Sequence, residues 1–492
     1  MKNRSKTIAA CSILFLLLLH LPFLHSDPDY YLSIGRDAFT DEGLNTSQLR
    51  NYINHDYLDL NECDNLIKSP LFNLILFLPL KFSGTHLMVA RLTVLLLLIV
   101  ALLFLLKENY FSQLMPFLVI GTLTQFYVFQ YSHFSLSEMV SVVCILLGIF
   151  FTFRMLGRPQ PPSRSNRGGV WLPALFFSLA YYAKIQFAYI IVFLPAAIFI
   201  LSFFPAPSGP EPKSLLLRSM LWLAAFAVIY LLAWYLPFRS TFDFVMKDQS
   251  SNKFGALSGI PKTIAFNIIH ILFSEQTWWF NSLALICFLS GISLFRKGVD
   301  YKFKIMFVLS SLWMLIELHK LSMIYLPSRY LVGYYFAAGL MCTVVLHQLI
   351  FLRTQETSLS NFFFRIGFAI TALFFIANSI HYSFLLQRRT YNIEAINSYF
   401  SSLLRNSEQP VMGPWAPTAT WDCKARCIPV WKDFMNDKDV INRFHPQAIL
   451  SEPNEDESNQ AYSSRGISLK QLSDSTREFP LGRWRVIVYW MK

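Results

Sequence analysis

The feature that most constrains this chain is the recurrence of apolar runs close to 20 residues long. A helix rises 1.5 Å per residue, so about 20 apolar residues cover a bilayer core of about 30 Å. Such runs fall near 7–25, 88–106, 111–131, 138–156, 170–183, 185–204, 215–237, 278–295, 303–318, 330–351 and 362–386. The pattern predicts a mainly α, polytopic transmembrane helical bundle of about 11 spans. The stretch 170–204 reads either as one long run or as two short spans broken at Lys184. Composition agrees: 54% of residues are hydrophobic and only 15% charged, against about 25% charged in soluble domains. That balance excludes a disordered chain, a collagen and a disulfide scaffold, and argues against a soluble enzyme.

The scarce charge is unevenly placed. Between Arg388 and Lys492 there are 14 basic and 12 acidic residues, the density of a water-exposed domain. The chain therefore divides into a membrane body, 1–387, and a soluble C-terminal domain, 388–492. The latter reads as a small α/β unit with a helix over Ile393–Arg405. Its candidate strands are Val411–Met412, Ala448–Leu450 and Arg485–Tyr489. Cys423 and Cys427 leave a disulfide open; a metal site would need two further ligands, and no matching pair is present. Trp415, Trp421 and Trp431 have two readings, core packing and sugar stacking, with packing the commoner fate. The acidic run Glu452–Glu457 reads as a solvated loop.

One apolar run breaks the pattern. From Pro70 to Gly84 it extends only roughly 20 Å, too short to span, so it reads as an interfacial or re-entrant helix at the end of an outer segment, 26–87. Left out of the span count, it places the loops holding Arg154, Arg158, Arg164 and Arg167, then Lys213 and Arg218, then Arg296, Lys297, Lys302 and Lys304 on the side of Lys2, Arg4 and Lys6. All then obey the positive-inside rule. The N-terminus is expected in the cytoplasm and the C-terminal domain outside, in a cell (inner) membrane. No small-x-small site follows the first run, so it reads as an uncleaved helix. The net charge of +12 comes largely from those inner loops and does not argue for nucleic acid.

The loop 26–69 carries nine acids against three bases. Most read as a solvated face. Asp27 and Asp29 stand apart because they end the first helix at the membrane surface. Ionisable residues at span ends are costly unless paired, which makes them functional candidates. On the outer side these are Glu138, with His133 near it, and the basic residues Lys68, Lys184, His319, Lys320 and Arg329. Cations beside an apolar body suit a lipid phosphate, and carboxylates nearby suit deprotonation of an acceptor. The bland reading of each lone cation is snorkelling, and of Glu138 a helix N-terminal acid.

Several segments resemble a known family. Asp27-Pro-Asp-Tyr-Tyr-Leu-Ser-Ile-Gly-Arg36 resembles the Asp-Glu-x-x-Tyr-x-x-x-Ala-Arg signature of GT-C-class membrane glycosyltransferases, with Pro28 in place of the Glu. That class includes protein O-mannosyltransferases, lipid A aminoarabinose transferases and family-39-like enzymes. Lys68-Ser-Pro-Leu71 with Gly84 and Arg91, Tyr131-Ser-His-Phe-Ser-Leu-Ser-Glu138, Ala183-Lys184, and Pro327-Ser-Arg-Tyr-Leu331 resemble later family segments, in order.

The resemblance implies a polyprenyl-phosphate-linked sugar as donor and a lipid, glycan or protein acceptor on the outer face, among membrane lipids. It implies Asp27 as the base, with Asp29 standing in for the missing Glu and Glu138 near them. It also implies Lys68 and Arg329 at the lipid phosphate, with Lys184 assisting, and inversion by direct displacement; Lys320, read from its place at the outer surface, and Tyr330, beside Arg329, join them as candidate substrate contacts. A divalent cation stays open, since some members use one; no spacing here signals zinc. The rival reading is a transporter or lipid-linked-saccharide flippase, which predicts inverted repeats and charges at mid-depth.

Overall fold

The structure is a computed structural model; it describes residues 2–492 apart from 34, 158–168, 205–211, 245–258, 296–298, 352–357, 405–407, 434 and 454–455. Among the described residues, nine helices are long and apolar enough to cross a membrane. They are Arg4–Phe23, Leu87–Leu105, Ser137–Gly157, Ile185–Ser202, Lys213–Tyr235, Trp278–Phe295, Tyr301–Ser322, Ser328–Ile350 and Phe364–Leu403. This is an integral membrane protein. The two other expected spans take different forms. The run 111–131 is bent by 96° between Asn109–Leu123 and Phe126–His133. At that break Gln125 caps the second helix, its side chain accepting from Val128 N at 3.0 Å. Trp171–Ala183 ends after 13 residues, because Lys184 adopts an extended conformation and a 3-10 segment, Ile185–Val192, follows. Pro70–Ser83 forms a helix of 14 residues, about 21 Å long and shorter than a bilayer core. Ile260–Leu272 is a further short apolar helix that the sequence did not announce. Arg158, Arg164, Arg167, Arg296 and Lys297 lie outside the described residues.

Burial sorts the bundle. Ser328–Ile350 is enclosed on all sides, whereas Lys213–Tyr235 and Phe364–Leu403 leave most of their apolar surface outward, as lipid-facing helices do. Ser137–Gly157 packs closely against Trp171–Ala183; a Cβ on Gly148 would lie 2.7 Å from the Phe177 ring.

The expected outer loop holds a helix. Asp37–His55 runs for 19 residues and is buried from Asp37 to Asn51; Asp56 ends it with a left-handed φ of 50°. We refer to it as the outer helix. One side rests on the bundle through Glu42 and Arg91, both buried, with Nη2–Oε2 at 2.5 Å. Arg91 also donates to the carbonyls of Phe23, Leu24 and Ser26, and Ser135 N donates to Glu42 at 2.7 Å. The end of the first helix, the outer helix and the turn before Glu138 are thus held by one ion pair. The other side rests on residues 416–427. Gly43 is required there, because a Cβ would lie 2.5 Å from the Pro417 carbonyl carbon. Arg50 donates to the carbonyls of Thr420, Gly43 and Pro417 and stacks on Trp421 at 4.1 Å. Asn51 exchanges two hydrogen bonds with the Cys427 backbone, at 2.9 and 3.0 Å.

The C-terminal sheet has five strands: β1 Val411–Met412, β2 Cys427–Ile428, β3 Ala448–Ser451, β4 Ser473–Leu481 and β5 Trp484–Met491. Their order is β2-β1-β3-β5-β4. The β1 strand pairs in parallel with β2 and β3, and β5 pairs antiparallel with β3 and β4. The three expected strands are present; β2 and β4 were not anticipated. The preceding helix covers Asn392–Leu403. Trp415 and Trp421 are fully buried and pack the core, which corrects the sugar-stacking alternative for both. Trp431 is half-buried, with the Arg36 guanidinium 5.6 Å from its ring centre. Cys423 and Cys427 are buried free thiols, not a disulfide. Glu452 is not solvated: it is buried, pairs with Arg36 at 3.0 Å and accepts from Trp415 Nε1.

Candidate active site

At one end of the bundle four charged side chains, Asp37, Asp41, Glu138 and Lys184, meet around Arg329. Pro327 is extended and a 3-10 turn, Ser328–Leu331, follows, which turns the Arg329 side chain toward the outer helix. Its Nη1 lies 2.8 Å from Asp37 Oδ2 and also contacts Asp41 Oδ2; its Nε lies 3.3 Å from Glu138 Oε1. The same Glu138 oxygen accepts from Lys184 Nζ at 2.5 Å. Asp37 and Asp41 are four residues apart, so the outer helix presents both on one face. Glu138 sits in the first turn of Ser137–Gly157. Lys184 reaches the cluster because it occupies the break in the helix behind it. The Tyr330 ring lies 4.9 Å from the Arg329 guanidinium and 5.4 Å from Lys184 Nζ. Ser33 Oγ donates to Asp37 Oδ1 at 2.5 Å.

Three carboxyl groups and two cations in a buried site cannot all ionise cheaply. The strain falls on Asp41, whose carboxyl is pushed up to about 7. Burial is the main cause, Asp37 and Glu138 add to it, and Arg329 and Lys184 oppose it. A carboxyl group near 7 is matched to accept a proton at neutral pH.

The structure thus brings together four of the expected residues: Glu138, Lys184, Arg329 and Tyr330. The others lie elsewhere. Lys320 is buried behind Tyr330, where Nζ donates to Glu317 Oε2 at 2.6 Å and to the Tyr330 carbonyl at 2.8 Å. Lys68 ends the short helix Asn65–Lys68 and pairs with Asp64. Asp29 pairs with Arg388 at 3.3 Å, and burial raises its carboxyl above the usual range. His133 meets His20, Nδ1 to Nδ1 at 3.0 Å, and the exposed His319 contacts the Ile316 carbonyl.

Asp27 lies outside this cluster, bonded to the chain that leads into Asn392–Leu403. Both its oxygens are engaged by the start of Asn392–Leu403: Thr390 Oγ1 donates at 2.7 Å, Asn392 N at 2.8 Å and Ile393 N at 2.9 Å. A carboxylate there satisfies orphan amides and complements the helix dipole. Asp27→Ala is therefore expected to cost about 1–2 kcal/mol of stability. It should also speed tryptic cleavage after Arg388 and Arg389. Denaturant melts and timed digestion check this; a variant as stable and as resistant as wild type would remove the capping role.

Asp37 and Asp41 were not singled out in the sequence, although a signal existed. Asp41-Glu42-Gly-Leu-Asn-Thr-Ser-Gln-Leu-Arg50 fits the same ten-residue signature and keeps its Asp, Glu and Arg, while Asn45 and Leu49 replace its Tyr and Ala. The stretch from Asp27 to Arg36 keeps the Tyr but lacks the Glu. In the second register Glu42 and Arg50 hold the outer helix and Asp41 contacts Arg329.

The chain is thus an apolar bundle with an acid-bearing outer helix and a small sheet packed over it. No family model and no curated relative matches the sequence. Among solved structures, ArnT from Cupriavidus metallidurans in the apo state is similar, with a TM-score of 0.58 and 13% identity over 97% of both chains. ArnT bound to undecaprenyl phosphate gives 0.52 and 14% over the same share. The archaeal oligosaccharyltransferase AglB from Archaeoglobus fulgidus, in complex with an inhibitory peptide and a dolichol-phosphate, gives 0.53 and 13%, over 92% of this chain and 69% of that one. The chain shares its fold with these proteins, which bears out the resemblance at the level of fold.

Proposed function

We propose that this protein transfers a sugar from a polyprenyl-phosphate donor to an acceptor at the outer face of the membrane. The observation that carries this reading is the meeting of Lys184, Arg329 and the proton-accepting Asp41 in one buried cluster. Two cations spaced by a shared glutamate suit a phosphate monoester whose charge grows as the glycosidic bond breaks. In this reading Arg329 and Lys184 receive the leaving prenyl phosphate. Asp41 takes the proton of the acceptor hydroxyl or amine, and Asp37 holds Arg329 in register. Lys68, at the foot of the short apolar helix, guides the headgroup in from the bilayer. Direct displacement, with the acceptor oxygen or nitrogen bonding to the anomeric carbon as the bond to phosphate breaks on its other face, inverts that carbon. The fold of ArnT and AglB, and the lipid phosphates named with those structures, support the donor class.

The inner loops and the cluster's position favour a cytoplasmic N-terminus, with residues 388–492 as an extracytoplasmic unit. A divalent cation does not fit the carboxylates as they stand: Asp37, Asp41 and Glu138 converge on the Arg329 guanidinium. Among the described residues no three His, Cys, Asp or Glu side chains group to hold a metal.

Incubating the purified protein with a panel of prenyl-phosphate sugars and measuring released prenyl phosphate tests the proposal. Release with at least one donor is the expected result. Flipping of a lipid-linked saccharide in liposomes, with no release from any donor, would replace the transferase with a flippase.

A further inference from the structure

Behind the two site cations lies a second buried knot that the proposed chemistry does not use. Glu317 is fully buried and accepts from Lys320 Nζ at 2.6 Å, from Trp313 Nε1 at 3.1 Å and from Tyr189 OH. Lys320 is also buried, and its ammonium lies 4.4 Å from the Phe187 ring centre and 5.3 Å from that of Tyr189. It donates as well to the Tyr330 carbonyl at 2.8 Å. Gly333 closes the knot: a Cβ there would lie 2.4 Å from Glu317 Oε1.

The connections matter because of their neighbours in sequence. Phe187 and Tyr189 belong to the 3-10 segment that begins directly after Lys184. Tyr330 follows Arg329 in the turn Ser328–Leu331. Neither segment has a full helical hydrogen-bond ladder, so side-chain bonds must set their positions. We infer that Glu317 and Lys320 are positioning residues that fix the spacing of Lys184 and Arg329 for a prenyl phosphate, and that Lys320 itself does not touch that phosphate. The inference rests on the transferase reading above. Its physical basis is the cost of an uncompensated buried charge: each partner is tolerable only beside the other. Loss of one moves a turn, and a displacement near 1 Å at a charge-stabilising group costs about 100-fold.

Affinity for undecaprenyl phosphate, measured on the full-length protein in nanodiscs, distinguishes positioning from direct contact. Lys320→Gln is expected to lose affinity by about 10- to 100-fold, because the buried Glu317 is left without its cation and the Tyr330 carbonyl without its donor. Glu317→Gln is expected to lose affinity too, although removing an acid from the path of a phosphate should otherwise help binding. The double variant Glu317→Gln/Lys320→Gln lets the two introduced amides bond each other and the Tyr330 carbonyl without charge. It should recover to within about 3-fold of wild type, a large positive coupling. Equal loss in Lys320→Gln and in the double variant, or tighter binding by Glu317→Gln, would overturn the positioning role and make Lys320 a phosphate ligand. Should Lys320→Gln fail to fold, the comparison of Glu317→Gln with the double variant decides alone. Wild-type protein that binds no undecaprenyl phosphate would instead defeat the transferase reading beneath it.

Discussion

Arg329→Gln is expected to lose transfer by about 1,000-fold or more and stability by about 3–5 kcal/mol. Arg329 is nearly enclosed and answers three carboxyl groups at once. Removing it leaves Asp37 and Asp41 buried with no cation beside them, while Glu138 keeps Lys184. Arg329→Lys should lie between the two, because a point charge cannot fork between Asp37, Asp41 and Glu138 as a guanidinium does. The stability and activity losses can be separated. Adding Asp41→Asn to Arg329→Gln removes one orphaned charge, so the double variant should melt above the single one and still transfer nothing. Thermal melts in nanodiscs alongside a prenyl-phosphate release assay give both values. Full transfer by a folded Arg329→Gln protein would dismiss the cluster as the reaction site.

Asp41→Asn is expected to lower transfer by about 100- to 10,000-fold, the range for a removed general base. The pH dependence carries the sign. Asp41 works as a carboxylate, and its carboxyl is pushed up to about 7, so the wild-type rate should climb as pH rises through that value and then level. Stability runs the other way. A carboxyl raised in the folded state binds its proton more tightly there than in the unfolded chain. Its contribution is therefore full below the ordinary carboxylate range and is lost as pH rises through about 7. Glu62, buried beside Tyr57 with its OH at 2.8 Å, is also pushed up to about 7 by burial and adds to the same slope. The contribution of Asp41 is the difference between wild-type and Asp41→Asn melting curves. The variant should gain relative stability above neutral pH while losing the rate. A wild-type rate that stays flat across neutral pH would remove Asp41 as the base.

Much of the bundle was legible because the lipid core demands apolar length, and that demand is written directly in the runs of Leu, Ile and Phe. Lys184 and Arg329 were legible for the complementary reason: a lone cation in such a run needs a purpose. The outer helix was hidden. Its core-facing residues include Asp37, Asn45, Thr46, Gln48 and Arg50, so no apolar stripe marks it. Many of them are satisfied by carbonyls rather than by apolar neighbours: Asn45 donates to Asp41 O, Thr46 to Glu42 O and Arg50 to Pro417 O. The β4 strand, Ser473–Leu481, was hidden likewise, since it is an edge strand with most side chains outward and no alternation to read. Asp27 and Asp41 are hard to tell apart in the sequence because a ten-residue signature can be laid twice within 24 residues, 27–36 and 41–50. Only the partners of each carboxylate separate a cap from a site.

The dependence of the outer helix on residues 416–427 has a consequence for biogenesis. Synthesis runs from the N-terminus, so Asp37 and Asp41 are made long before the carbonyls of Pro417 and Thr420 that receive Arg50 exist. Until then the helix is held only on its bundle side, through Glu42 and Arg91, and the face that Arg50 serves stays open. Nascent chains would insert their spans first and acquire a competent cluster only when the sheet closes over it. On the transferase reading proposed above, a lipid-linked donor already in the membrane would thus meet a finished site and never a half-built one.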